Sequence, residues 1–229
     1  MPAMKQPVVN YREFRFSRLN EPRFSHIKLL GGWLVYFALY FLTENLIPAS
    51  RCHPVHCVID DWIPFREAFV VFYISWFGLI VYSLLNFFLY DLRSFRDLSV
   101  YIMVTQAVAM LVYILWPSRQ ELRPEVFPRQ NVFTWILGFI YAFDTPTGVC
   151  PSLHVAYSLG IGSVWLKKKD ASPTWKFVLG LWLALICLSV MFVKQHSAVD
   201  VLCALPLCAL AEWFVYRFLP RRLKPRLEE

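Results

Sequence analysis

Six apolar runs limit what this sequence can fold into more than any other feature. They cover residues 29–47, 67–90, 98–116, 150–166, 174–193 and 197–219. A helix needs about 20 apolar residues to cross the hydrocarbon core of a bilayer, and these runs reach or approach that length. Because backbone polar groups inside lipid must be satisfied within the segment, each run predicts a helix. We therefore expect an all-α fold, an integral membrane bundle of six transmembrane helices.

The composition supports the same class of protein. Hydrophobic residues form 58% of the 229-residue chain and charged residues 17%, which is unusual for a soluble domain. The formal charge of +7 would suit a nucleic-acid partner, but the basic residues flank the apolar runs and form no single stripe. The expected partner is the bilayer and no nucleic acid.

Charge placement predicts the orientation in the membrane. With both termini in the cytosol, 17 of the 23 lysines and arginines lie on the inner side, in accord with the positive-inside rule. We expect a basic cytosolic N-terminal segment at 1–28, which lacks the apolar core of a signal peptide, a membrane domain at 29–219 and a basic cytosolic tail at 220–229. The segments expected on the extracytoplasmic side are 48–66, 117–149 and 194–196.

A seventh apolar segment, residues 132–143, has only 12 residues. That length predicts a short interfacial helix in the long outer loop and not a further span. A span there would also move the basic cluster at 167–170 to the outer side. Two roles stay open for this helix: it is an apolar flank for a lipid, or it rests on the bundle without a function of its own.

The stretch KQHSAVD, residues 194–200, places ionisable groups between two apolar runs. His196 and Asp200 are four residues apart, which predicts that they share one face of a helix opening near residue 197. The carboxylate would then hold one imidazole nitrogen and leave the other free. Lys194 cannot share that face, although its ammonium could approach the same point. The alternative is a pair that only fixes a helix end near the headgroups.

A second polar stretch, TGVCPSLHVAYS, covers residues 147–158. Pro151 suits the first position of a new helix, and free backbone amides near Ser152 and Leu153 would form an anion site. His154 follows in the first turn of that helix. A histidine that only reaches the interface is the alternative.

The third stretch, WPSRQELRPEVFPR at residues 116–129, contains three arginines. The planar guanidinium of arginine suits phosphate, and a helical turn would align Arg119 with Arg123. Outer loops also carry arginines that have no catalytic role.

Together these side chains form a set that suits phosphoryl transfer through a phosphohistidine. One histidine would attack phosphorus and the other would protonate the leaving oxygen, while the cationic groups hold the phosphate. The sequence contains no carboxylate cage for magnesium or calcium. We therefore expect a metal-independent mechanism without a cofactor.

At this point the residues resemble the type 2 phosphatidic acid phosphatase superfamily. Its signatures are Lys-x6-Arg-Pro, Pro-Ser-Gly-His and Ser-Arg-x5-His-x3-Asp, and the resemblance covers roughly residues 99–217. The matching residues are Arg123 and Pro124 in the first, Pro151, Ser152 and His154 in the second, and Ser189, His196 and Asp200 in the third.

Three positions depart from these signatures. Trp116 stands in place of the first lysine, Leu153 in place of the glycine, and Val190 in place of the arginine in the third signature. Arg119 and Lys194 are the expected substitutes for the missing cations. Leu153 and Val190 resemble the branch that contains the inositol phosphorylceramide synthases.

The resemblance implies roles for the matched residues. His196 would be the nucleophile, His154 the general acid and Asp200 the partner that orients His196. The expected phosphate-binding residues are Arg123, Lys194, Ser152 and Arg119.

The resemblance leaves the acceptor open. Water would give a lipid phosphatase that hydrolyses a phosphomonoester or pyrophosphate lipid at the extracytoplasmic face, which is the function we expect. A lipid hydroxyl would give a phosphotransferase of the inositol phosphorylceramide or sphingomyelin synthase type. A non-catalytic transporter that keeps the fold is a further alternative, although such a chain has no need to retain His154, His196 and Asp200.

The outer loop RCHPVHCVIDDWIPF, residues 51–65, brings four metal-type side chains into six residues: Cys52, His53, His56 and Cys57. Structural zinc sites use two separated pairs, so we expect no metal here. A disulfide between the cysteines and two free thiols both stay open. Asp60, Asp61 and Trp62 predict a turn with an interfacial aromatic residue over the site.

Overall fold

A computed structural model describes residues 6–219, except for the side chains of residues 44–46. This part of the chain is mostly helical, with two short strands. The helices are α1 (Lys28–Leu46), α2 (Val58–Trp62), α3 (Val70–Tyr90), α4 (Leu92–Leu115), α5 (Val132–Phe143), α6 (Leu153–Lys167), α7 (Pro173–Phe192) and α8 (Ala198–Trp213), and the strands are β1 (His53–Pro54) and β2 (Ser118–Arg119).

Five helical segments of the described chain are long and apolar enough to cross a membrane. They are Pro22–Thr43, Glu67–Tyr90, Leu92–Leu115, Pro173–Phe192 and Ala198–Phe218. Short 3-10 helices extend the N-terminal ends of α1 and α3, and a short π-helix extends the C-terminal end of α8, to these lengths. The prediction of a multi-pass, all-α membrane bundle is confirmed at this level.

The sixth predicted span is not confirmed. It corresponds to α6, which has 15 residues and is therefore about 22 Å long at 1.5 Å per residue. The hydrocarbon core of a bilayer is about 30 Å thick. Helix α6 packs against α3, α4, α7 and α8, and a helix enclosed in this way does not need to match the bilayer thickness by itself.

The core of the bundle lies around α6. Ala156 and Ile161 are fully buried, and Gly160 faces the ring of Tyr101 on α4 so closely that a Cβ atom built there would lie 2.5 Å from Cδ1. The small residue allows α4 and α6 to approach. This close packing fixes the position of α6, and therefore of its first turn, along the axis of the bundle.

Helix α4 begins earlier than its apolar run predicts. The run starts at residue 98, whereas the helix starts at Leu92 because Asp91 caps it, with Oδ1 accepting the amide of Ser94 at 3.0 Å. Phe95 is buried in the first turns. Residues 92–97, with Arg93 and Arg96, therefore belong to the helix and precede the apolar run.

The N-terminal segment packs against the end of α3. The amide of Val8 donates to the carbonyl of Leu89 at 2.8 Å, the hydroxyl of Tyr11 donates to the carbonyl of Phe88 at 2.7 Å, and Phe24 is fully buried. Residues 1–5 of the predicted segment 1–28, and the whole predicted tail 220–229, lie outside the described residues.

Three loops meet at the opposite end of the bundle. Strands β1 and β2 pair in parallel, and Arg119 in β2 forms an antiparallel bridge with Thr147. Helix α5 has the bounds that the sequence predicts, and its fully buried Leu137 packs with Val70 and Tyr73 of α3. The loops are therefore fixed to one another next to the first turn of α6.

The packing around α6 gives a stability prediction. Gly160→Ala should destabilise the protein by about 1–3 kcal/mol, because the new methyl group would force the buried Tyr101 ring to move. Gly180→Ala in α7 is the matched control, since a Cβ there meets nothing within 4 Å, and it should be neutral or slightly stabilising. Thermal unfolding in detergent measures both; equal midpoints for the two variants would contradict this account.

Candidate functional site

The two predicted histidines converge at the end of the bundle that carries β1 and β2. His154 lies in the first turn of α6 and His196 directly precedes α8. Their ring centroids are 5.6 Å apart, with an angle of 65° between the ring planes. His196 is 8% exposed, so the pair lies in a site largely screened from solvent.

Asp200 holds the imidazole of His196. Its Oδ2 lies 3.2 Å from Nδ1 of His196 and also accepts the amide of Ser197 at 2.9 Å. The spacing predicts that His196 lies on a face of α8, but it does not. Ser197 caps the helix, and His196 is the residue directly before that cap. The contact forms because Asp200 occupies the third helical position and reaches back past the cap, as in a capping box. Engagement of Nδ1 leaves Nε2 of His196 for chemistry.

A tight reversal of the chain turns His196 toward His154. Lys194 adopts a left-handed conformation with φ 54°, which is uncommon for a residue with a side chain. The carbonyl of Val190 accepts the amide of Gln195 at 2.9 Å and the amide of His196 at 3.0 Å. These two bonds compensate for the strained residue and fix the orientation of the backbone before α8.

The start of α6 is tied to α8 through Ser152. Its amide donates to the backbone carbonyl of Asp200 at 3.0 Å, and Ser152 is fully buried. The amide of Ser152 is therefore not free, and that part of the predicted anion site is wrong. Within residues 6–219, the amides of Leu153 and His154 have no hydrogen-bond partner, so the donors of this helix start lie one position further along.

Aromatic rings fix the side chain of His154. Its ring centroid lies 4.6 Å from that of Tyr73 and 4.2 Å from that of Trp76, and the indole of Trp76 donates to the backbone carbonyl of His154 at 3.1 Å. In the described chain, Nε2 of His154 is buried without a hydrogen-bond partner. A buried polar atom of this kind is costly unless a ligand or water satisfies it.

Arg123 is the predicted cation that contacts the residue directly before His196. Its Nη2 donates to Oε1 of Gln195, the neighbour of His196, at 2.5 Å. Its Nη1 donates to the carbonyls of Tyr141 and Asp144 at 3.2 and 2.9 Å, and the guanidinium lies 4.6 Å from the centre of the Tyr141 ring. The guanidinium is thus held in place by Tyr141 of α5 and by Asp144, the residue directly after that helix.

The other two predicted cations lie elsewhere. The ammonium of Lys194 donates to the carbonyls of Asp60 and Ile63, in the segment 51–65, at 3.0 and 2.6 Å. Arg119 forms an ion pair of 2.7 Å with Glu121, and no hydrogen bond joins it to either histidine in the described chain.

The prediction of a helical turn that aligns Arg119 with Arg123 is wrong. Residues 117–131 contain no helix. Arg119 is in β2 and pairs with β1, while Pro117 and Pro124 disfavour helix on either side.

Two residues of the site, Gln195 and Asp144, were not identified from the sequence. Oδ2 of Asp144 accepts the side-chain amide of Gln195 at 3.3 Å and lies 4.0 Å from Nη2 of Arg123. Burial raises the pKa of Asp144, although the charges of Arg123 and His196 act in the opposite direction. Asp144 is the residue directly after α5, where a carboxylate is common in any turn, so its position carries no distinct signal.

The segment 51–65 forms no disulfide. Cys52 and Cys57 are free thiols, His53 stacks on Trp116 with ring centroids 5.3 Å apart, and His56 lies 2.8 Å from Asp61. Within residues 6–219, no group of three or more His, Cys, Asp or Glu side chains is arranged to hold a metal ion.

Comparisons with models of known protein families, with curated proteins and with solved structures found no match.

The raised pKa of Asp144 predicts a pH dependence of stability. A carboxyl whose pKa is higher in the folded protein than in the unfolded chain stabilises the fold below its unfolded pKa, and this contribution is lost as the pH rises through the folded pKa. Asp144→Asn should therefore become more stable relative to wild type as the pH rises from about 4 to about 7.

Thermal unfolding at a series of pH values measures this difference. Glu125→Gln, at an exposed position in the segment before α5, is the control and should show no such trend. A difference between Asp144→Asn and wild type that stays constant with pH would contradict the assignment.

Proposed function

We propose that the protein is a membrane lipid phosphatase that acts through a phosphohistidine on His196. The convergence of His154, His196 and Asp200 carries the proposal. These residues are 46 positions apart at the extremes, from 154 to 200, yet the rings of the two histidines lie 5.6 Å apart with the carboxylate bound to one of them. At this separation both imidazoles can reach the same phosphate group of a bound substrate.

In the first step, the lone pair on Nε2 of His196 attacks phosphorus while the bond from phosphorus to the ester oxygen breaks. His154 donates a proton to the departing oxygen, so the lipid alcohol leaves neutral. Asp200 stabilises the positive charge that develops on His196 through its contact with Nδ1. In the second step, His154 accepts a proton from water, the water oxygen attacks phosphorus, and the bond to Nε2 breaks.

Arg123 and the amides of Leu153 and His154 are the proposed phosphate donors. Arg123 is already oriented by Tyr141 and Asp144, so little side-chain entropy is lost on binding. Ser152, Lys194 and Arg119 remain predicted phosphate ligands by resemblance. In the described structure, each of the three is engaged with another group of the protein.

Helix α5 is the proposed apolar flank for the lipid chains. Its outer face exposes Trp135, Phe139 and Phe143, which are 65%, 58% and 94% exposed. The same helix ends at Asp144, in the phosphate region of the site. An apolar surface that leads directly to charged side chains suits a substrate with one apolar and one charged end. We further propose that this end of the bundle faces the extracytoplasmic side, as the distribution of lysine and arginine predicts.

Removal of the histidines tests the proposal. His196→Ala should lower kcat by about 1000-fold or more, and Asp200→Asn by about 10²- to 10⁴-fold, because the imidazole loses its orienting carboxylate. The assay is phosphate release from phosphatidic acid or a polyprenyl phosphate in detergent, with a chelator present.

His56→Ala is the matched control. His56 is a half-exposed histidine paired with Asp61 in the outer loop, and its replacement should leave kcat unchanged. Full activity in both His196→Ala and His154→Ala would overturn the proposed mechanism.

The same assay separates hydrolysis from transfer. Addition of a lipid alcohol should leave phosphate release intact if water is the acceptor. Product that forms only with the alcohol, at the expense of free phosphate, would assign the chain to the phosphotransferases. The phosphohistidine step is common to both reactions.

A substitution on α5 tests the lipid flank. Phe143→Ser should lower kcat/KM for a long-chain lipid phosphate by about fivefold to thirtyfold, because about 1–2 kcal/mol of apolar contact is lost, and should leave a short-chain, water-soluble substrate unaffected. Phe177→Ser, at a 73% exposed position near the start of α7, is the control. Equal effects of the two variants on both substrates would show that α5 has no special role.

A further inference from the structure

The outer loop and the reversal before α8 are joined by a set of hydrogen bonds that the proposed mechanism does not use. Asp60, in the short helix α2, lies at the centre of this set. Its Oδ2 accepts the hydroxyl of Ser197 at 2.5 Å and its Oδ1 accepts the amide of Ala198 at 2.7 Å. Its backbone carbonyl accepts the ammonium of Lys194 at 3.0 Å. A loop 137 residues away in sequence therefore caps the helix that follows the nucleophile.

Asp60 is itself held rigidly. It is 3% exposed, and its Oδ2 also accepts the amide of Cys57 at 2.8 Å, within α2. Burial acts to raise the pKa of Asp60, but the hydrogen bonds from Ser197, Ala198 and Cys57 outweigh it and hold the pKa below its usual value. Asp60 is therefore an ionised group at the positive end of the α8 dipole, where a negative charge is stabilising.

Two carboxylates divide the donors at the start of α8. Asp60 takes the amide of Ala198 and the hydroxyl of Ser197, whereas Asp200 takes the amide of Ser197 and Nδ1 of His196. A helix start without a partner for its amides is costly. If Asp60 were absent, the freed amide of Ala198 would be drawn to the carboxylate of Asp200, whose Oδ1 has no hydrogen-bond partner in the described chain, and would turn that carboxylate away from His196.

We propose that Asp60 is a positioning residue for the nucleophile: it satisfies the first amide of α8, so that Asp200 stays bound to Nδ1 of His196. The catalytic meaning of this role rests on the proposed phosphohistidine function. The contact itself does not, because it can be measured without substrate.

The test compares Asp60→Asn with Asp61→Asn in the full-length protein in detergent. Asp61 is the next residue, is exposed, and pairs with His56, so it is a matched control. The first readout is the downfield proton resonance of the hydrogen-bonded Nδ1 of His196, assigned by its loss in His196→Ala. The resonance should disappear or shift upfield in Asp60→Asn and stay in place in Asp61→Asn. A resonance that is unchanged in Asp60→Asn would overturn the positioning role, whatever the activity.

The second readout is kinetic. Asp60→Asn should lower kcat by about tenfold to 100-fold and leave KM within about twofold, because an orienting contact is lost and phosphate contacts are retained. Asp60→Glu, which keeps the charge, should recover part of kcat. A KM effect without a kcat effect would place Asp60 in substrate binding and contradict the proposal.

A second variant covers the case in which Asp60→Asn does not fold. Ser197→Ala removes one donor to Asp60 and keeps the bond from Ala198, so it should shift the same resonance by a smaller amount and lower kcat by about threefold. No change in either would also overturn the proposal. If His196→Ala is fully active while Asp60→Asn still moves the resonance, the proposed function fails and the positioning contact stands.

Discussion

The hydrogen bonds of Asp200 hold the candidate site together. Its carboxylate binds Nδ1 of His196 and the amide of Ser197, while its backbone carbonyl accepts the amide of Ser152 at the start of α6. One residue thus sets the orientation of one histidine and ties its helix to the helix that carries the other. Because Asp200 is fully buried, each of these bonds forms where water does not compete.

The sequence predicts the local features of this arrangement and not the long-range ones. Helix α5 has the predicted bounds because its apolar run is bordered by a capping Asn131 and by Asp144. The contact of His196 with Asp200 follows from a spacing of four residues. In contrast, the hydrogen bond between Asp60 and Ser197 joins positions 137 residues apart, and no periodic pattern encodes it.

The differences from the sequence predictions have physical causes. Helix α6 can be shorter than the bilayer is thick because other helices enclose it, so its length does not have to match the lipid. Residues 117–131, which contain Arg119, Arg123 and Arg129, form no helix because their prolines and the pairing of β2 with β1 exclude one. Lys194 binds the carbonyls of the segment 51–65 because its left-handed backbone follows the end of α7 and directs its side chain to that segment. In each case tertiary contacts decide an outcome that spacing alone leaves open.

The central claim is that His196 carries the phosphoryl group. The most direct measurement is an acid-free quench of the purified protein with a lipid whose phosphate is radiolabelled, followed by peptide mapping. We expect a labelled adduct on the peptide that contains His196, stable to alkali and lost in acid, as a phosphohistidine is. Turnover of the lipid with no such adduct under rapid quench, or with the label on another residue, would contradict the account.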